Sequence, residues 1–329
     1  MSIYKELPDF NKQDSNQYST ELISIAFIDQ HILSLKNAYN ENNLSDLKQF
    51  STRIIHDFHS DRGIIDHILQ TDLLDFLANC LNDEFSDKMY IIIDLLQYLL
   101  SSKNENVTVC LINNNGISTL NSFLSPQYDD VFLDQVLYCI GYALFDIIKC
   151  QNLGILPPIE FIHIEKETFE QILTAYPQLL EPVLNLLYNC LLVLTDYDLT
   201  IRTLLFYIFL IDVDRCSTKS LTRFFKLFVG KIKRAHEIHN PNNFPFEIFQ
   251  ESQLSDIFIR IFLHERFQIE THTTENDVVY WATKLMILFM KNDTEDEIFF
   301  NKIKLILPED YVKMIFNTNS TDNSLETIF

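Results

Sequence analysis

The chain has 329 residues, of which 47% are hydrophobic and 13% aromatic. That excludes disorder over most of the length, and also a single compact core of ordinary size. Five glycines and nine prolines are too few for the turns of a β-sandwich or the glycine-rich loops of a nucleotide-binding sheet. A net charge of −21 disfavours nucleic acid and anionic membranes, leaving basic segments of other proteins as the natural electrostatic complement.

Residues 1–20 read as a polar leader without the basic-then-apolar pattern of a signal peptide. From residue 21 to 316, apolar residues recur at three- and four-residue spacing, as in Leu69, Leu73, Leu74, Leu77, Cys80 and Leu81, and again in Ile92, Leu95, Leu96, Leu99 and Leu100. Polar joints such as YNENNLSD, SSKNENVT, SPQYDD and DVDRCSTKS interrupt the pattern. Many end in Ser, Thr, Asp or Asn just before the next apolar run, which is N-cap chemistry. The pattern predicts roughly fifteen helices. PPIEFIHIE imitates a strand but is isolated. LLEPVLNLLYNCLLVL and LTIRTLLFYIFLIDV fall short of the roughly 18 apolar residues a membrane span needs, and read as buried helices. The six cysteines are spread without a CxxC pair, as expected of reduced, buried thiols in a cytoplasmic or nuclear protein. Residues 317–329 form a C-terminal tail.

Sliding the chain by 43 residues aligns Ile68, Leu69, Leu74, Leu77, Cys80 and Leu81 with Leu111, Ile112, Ile117, Leu120, Phe123 and Leu124. A further slide of 38 sets Gly116 on Gly154 and Phe123 on Phe161. A period near 40 residues is that of armadillo and HEAT arrays. The expected fold is therefore all-α, an armadillo/HEAT-like right-handed α-solenoid of about six or seven repeats. At Gly116 a short helix should end and another begin at a steep angle, which calls for positive φ or very close packing.

The stretch LINNNGISTLNSFLSPQYDDVFLDQVLYCIGYALFDI, with its glycine junction, acidic joint and following QVLYCIG helix, resembles the armadillo repeats of importin alpha. The resemblance covers residues 44–160 and thins beyond 165, where LSDIFIRIFLHERFQIETHTTENDVVYWATKLMILFM scans as one more helix pair. It implies a concave groove lined by the third helix of each repeat, where Trp and Asn four residues apart hold an extended basic peptide. Here those positions carry Leu96 and Leu100, Tyr138 and Tyr142, then Asn185 and Asn189, and Trp281 is followed by Leu285.

The amphipathic members of the expected concave face are Tyr90, Asp94, Gln97, Tyr138, Tyr142, Asn185, Asn189 and Trp281. They suit pairing with an extended backbone. A basic stripe of Lys219, Arg223 and Lys226, continued by Lys231, Lys233 and Arg234, reads as a site for an acidic partner or as a complement to the chain's own carboxylates. The pairs His56/His59 and His236/His239 lack a third ligand at zinc spacing, so no metal and no cofactor are expected. No nucleophile or phosphate-loop signature occurs, so no enzyme is expected. The expected function is a non-catalytic adaptor that binds a protein or an extended basic peptide, in the manner of nuclear-import cargo recognition. The alternatives are a scaffold or regulatory subunit gripping a folded partner and, less favoured, an enzyme using the histidines.

Overall fold

The computed structural model describes residues 13–60, 63–102, 104–152, 165–194, 197–238, 253–264, 267 and 278–292. Among them there are fourteen α-helices, one 3₁₀ turn and no strand, so the fold is all-α. The junction at Gly154, the PPIEFIHIE stretch, His239 and the tail from 317 lie outside the described residues, as do the side chains of His59, Lys233, Arg234 and His236. The chain divides into two compact units, Met1–His163 and Ile164–Phe329.

In the first unit the helices are α1 (Gln13–Asn40), α2 (Leu44–Ser60), α3 (Gly63–Ile68), α4 (Leu73–Cys80), α5 (Asp87–Ser101), α6 (Glu105–Asn113), α7 (Gly116–Ser122) and α8 (Asp130–Asn152). α1 begins inside the segment expected to be a polar leader. The 43-residue period is visible in the helix starts: α2, α5 and α8 begin at 44, 87 and 130, and α4 and α7 at 73 and 116. α2 packs on α5 and α5 on α8, while α4 packs on α6 and α6 and α7 pack on α8. The residues aligned by that period are core. Ile68, Leu77, Leu111 and Leu120 are each fully buried.

The joints do what their residues suggest. Asn42, at φ 56°, ends α1 in the left-handed conformation, with Asn43 N–H donating to Ala38 C=O at 2.9 Å and Asn42 N–H to Tyr39 C=O at 3.2 Å. These two bonds satisfy carbonyls that the helix end would otherwise orphan. The side chains of Asn43, Asn104 and Asp129 accept from the backbone N–H of Asp46, Asn106 and Phe132 at 3.2, 3.1 and 2.9 Å, capping α2, α6 and α8.

Of the two reasons expected for glycine at position 116, close packing is the one found. The positive φ of the LINNNG junction belongs to Asn115, at 57°, while Gly116 opens α7. A Cβ at Gly116 would lie 3.0 Å from Leu111 Cδ2 and 3.1 Å from the Leu111 carbonyl oxygen. Close packing of α7 against the end of α6 requires glycine there; the left-handed turn falls to Asn, which tolerates it better than most side chains.

In the second unit the helices are α9 (Lys166–Ala175), α10 (Leu180–Val193), α11 (Tyr197–Leu210), α12 (Thr218–Ile238), α13 (Leu254–Leu263) and α14 (Val278–Asn292), with a 3₁₀ turn at Pro177–Leu179. α10 packs on α11 and α12, α12 on α14, and α13 on α14. The core is aromatic: Tyr207 meets Phe224 edge-on at 5.0 Å, and Phe225 stacks on Phe258 at 5.6 Å. Among the described residues no helix is long and apolar enough to cross a membrane.

Several long-range side-chain hydrogen bonds in both units span 37 to 41 residues. Thr108–Asp146, Asn114–Asp75, Thr119–Asn82 and Gln135–Asp94 join residues 38, 39, 37 and 41 apart. Arg215–Pro177, Ser220–Glu181 and Arg223–Asn185 join residues 38, 39 and 38 apart.

Candidate functional site

Two rows of successively packed helices carry the residues of interest: α2, α5 and α8 in the first unit, and α10, α12 and α14 in the second. In the first row, the sequence of α5, DKMYIIIDLLQYLLS, buries Leu95, Leu96, Leu99 and Leu100, each at 1% exposure or less. Leu96 and Leu100, aligned with the Trp and Asn of importin alpha, are thus core residues. The face that shares a side with Asp94 is carried by half-buried Gln97, Tyr98 and Ser101.

Asp94 lies between its neighbours in the row. Gln135 Nε2 of α8 donates to its carboxylate at 3.4 Å, while Lys48 of α2 stabilises its charge from the other side. Desolvation nevertheless holds its carboxyl above the ordinary carboxylate range. Asp134 is raised as well, by burial and then by the neighbouring charge of Asp130. Tyr138 and Tyr142, one turn apart on α8 and both half-buried, stack with ring centroids 6.3 Å apart.

Tyr90 is committed to structure. Its hydroxyl donates to Asp129, whose other oxygen caps α8, and its ring packs on Phe132 at 5.2 Å. That phenol bond holds the Asp129 carboxyl below the usual range. Tyr90 therefore ties the joint before α8 to α5.

In the second row the sequence-predicted groove residues and the basic stripe merge. Arg223 Nη1 donates to Asn185 Oδ1 at 2.8 Å, and its guanidinium lies 5.5 Å from the Tyr188 ring centroid. Lys226 lies 5.4 Å from the Trp281 ring and Lys284 5.2 Å from it. Trp281, at 8% exposure, backs this face, and Tyr280 meets it edge-on at 5.4 Å. Asn189 is half-buried one turn beyond Asn185, and Lys219 is exposed at the start of α12. Lys231 serves the C-terminal end of α10, donating to the Leu194 carbonyl at 3.0 Å. Tyr188, Tyr280 and Lys284 escaped sequence reasoning. Their signal would have been aromatic residues one helix away from each cation.

No family model matches the chain, and neither a curated protein nor a solved structure is significantly similar to it.

Among the described residues, the histidines pair with carboxylates. His31 Nδ1 lies 2.9 Å from Asp57, His67 Nε2 2.7 Å from Asp29, and exposed His56 3.6 Å from Asp57. Among the described residues no group of three His, Cys, Asp or Glu side chains is placed to hold a metal. Burial pushes the thiols of Cys80 and Cys110 up to about 11, and those of Cys139 and Cys190 higher still, so these four are protonated at neutral pH and poor nucleophiles.

The two rows differ in sign. α2, α5 and α8 carry four Lys and Arg against seven Asp. α10, α12 and α14 carry eight Lys and Arg against two Glu, within a chain of net charge −21.

Proposed function

We propose that the chain is a non-catalytic protein-binding adaptor, built as an armadillo-type α-solenoid and working in the cytoplasm or nucleus. The supporting observation is the repeated separation: helix starts 43 residues apart and polar side-chain bonds 37 to 41 apart, which is how stacked repeats touch only their neighbours. Such stacking leaves a row of equivalent helices that an extended segment can follow.

On the first row the acidic balance, the half-buried Asp94 and Asp134, and the stacked Tyr138–Tyr142 pair suit a basic segment. Lysine stems pack on the phenol rings, and the carboxylates meet their charge. This is the importin-alpha-like version of the reading, with tyrosine in the role of tryptophan. Its test is binding of a fluorescent lysine-rich nuclear-localisation peptide at physiological salt, beside a scrambled peptide of equal charge. Preferential binding of the ordered peptide, lost in Tyr138→Ala/Tyr142→Ala, is expected. Equal binding of both peptides, fading as salt rises, would leave surface charge alone.

A second reading, a scaffold gripping a folded partner, draws on α8, where Val131 is 59% and Phe145 40% exposed. Apolar side chains presented beside the tyrosines suit a preformed surface better than a peptide backbone.

A further inference from the structure

We infer that the α10–α12–α14 face of the second unit is a docking site for an acidic, extended segment of a partner protein. This deepens the adaptor reading and depends on it only in that the chain binds proteins; it needs nothing from the first row.

The argument begins with how the cations are held. Arg223 lies against Tyr188, and Lys226 and Lys284 against Trp281, with Lys284 also 4.4 Å from the Tyr280 ring. An aromatic face restrains a cation without cancelling its charge, unlike a carboxylate. Among the described residues no carboxylate pairs with Arg223 or Lys226. Arg223 gives one donor to the neutral Asn185 amide, which fixes the plane of a guanidinium that has further N–H groups to offer. The side-chain entropy that a binding event would otherwise spend on ordering these cations is thus already spent.

Charge balance selects the partner. Three cations elsewhere in the described protein meet acids: Arg260 reaches Asp212 and Asp214, Lys36 reaches Asp72, and Lys166 reaches Glu170. Among the described side chains of these three helices there are five cations, Lys219, Arg223, Lys226, Lys231 and Lys284, and one carboxylate, Glu181, a local exception in an acidic chain. Carboxylates two or more residues apart along an extended peptide can meet Arg223 and Lys226, with the buried Trp281 ring behind holding Lys226 in place. A nucleic acid presents a denser line of charge, which a field of −21 opposes at long range.

The experiment uses the full chain and a fluorescein-labelled twelve-residue peptide of alternating Glu and Leu, read by anisotropy. The same peptide with Gln for Glu and a twelve-nucleotide oligouridine serve as comparisons. The expected result is binding of the acidic peptide only, weakened at least about tenfold in Lys226→Gln/Lys284→Gln, retained in Lys226→Arg and unchanged in Lys48→Gln on α2. The retained Arg variant separates loss of charge from loss of fold. The inference is overturned by no binding, by equal loss in Lys48→Gln, or by tighter binding of oligouridine. Failure here leaves the basic-peptide test on Tyr138 and Tyr142 untouched, and failure there leaves this one standing.

Discussion

Alanine at position 116 adds one methyl group where the α6–α7 junction has no room for it. The new Cβ would sit 3.0 Å from Leu111 Cδ2 and 3.1 Å from the Leu111 carbonyl oxygen, several tenths of an ångström inside comfortable contact at about 3.5 Å. Leu111 is fully buried, so its rotamer is held by the core, and the carbonyl belongs to the backbone of α6. Neither neighbour yields cheaply, and overpacking of this kind costs about 1–3 kcal/mol. Stiffening the unfolded chain returns about 0.4–1 kcal/mol. The net expectation is a loss of about 1–2 kcal/mol, or about 3–6 °C in Tm for a unit of this size. Urea unfolding followed by circular dichroism at 222 nm measures it. Leu111→Val removes the Cδ2 contact and keeps the carbonyl contact, so a double-mutant cycle should show a coupling of at least about 0.5 kcal/mol. A Gly116→Ala protein as stable as the wild type would refute the close-approach account of this glycine.

Gly230, exposed within α12, has open space around its Cα, so Gly230→Ala should stabilise the protein by about 0.5–1 kcal/mol; a loss in the same unfolding assay would count against that. Asp94 binds its proton more tightly in the native state than in the unfolded chain, so its ionisation subtracts stability as pH rises from the ordinary carboxylate value through the raised one. Asp94→Asn should therefore melt above the wild type at pH 7, with the difference closing below about pH 4, and a variant less stable at pH 7 would overturn that sign. Phe132 is fully buried among Phe85, Tyr90, Phe123 and Tyr128, and Phe132→Ala should cost about 3–5 kcal/mol by urea titration. Of Cys80, Cys110, Cys139, Cys190 and Cys216, only Cys110 is partly exposed, so mass spectrometry after brief thiol labelling of the native protein should find Cys110 modified before the other four.

The period was legible because it is written in side chains that do one job each. Ile68, Leu77, Leu111 and Leu120 are core and little else, so matching them across 43 residues matched real structural equivalents. The caps were legible for the same reason: Asn43, Asn104, Asp129 and Ser217 sit at joints and bond the backbone just ahead. On α5 the polar residues read from the sequence, Asp94 and Gln97, are half-buried, whereas Leu96 and Leu100, the positions that the importin-alpha resemblance sets on Trp and Asn, are core. The sequence could not join the basic stripe to the groove residues. Arg223 meets Asn185 across 38 positions, but Lys226 meets Trp281 across 55, outside the period that organises the rest. In LINNNG the glycine drew attention that belonged to the asparagine before it, because only the backbone conformation separates the two roles.

The repeated separation also bears on how the protein is made. Thr108 finds Asp146 after 38 more residues have been synthesised, and His264 finds Asp214 fifty residues behind it. At about 5–20 residues per second, a helix leaving the ribosome waits only seconds for its next hydrogen-bonding neighbour. Structure of this kind can accrete from the N-terminus behind the ribosome, and little apolar surface stays bare while the rest of the chain is still being translated.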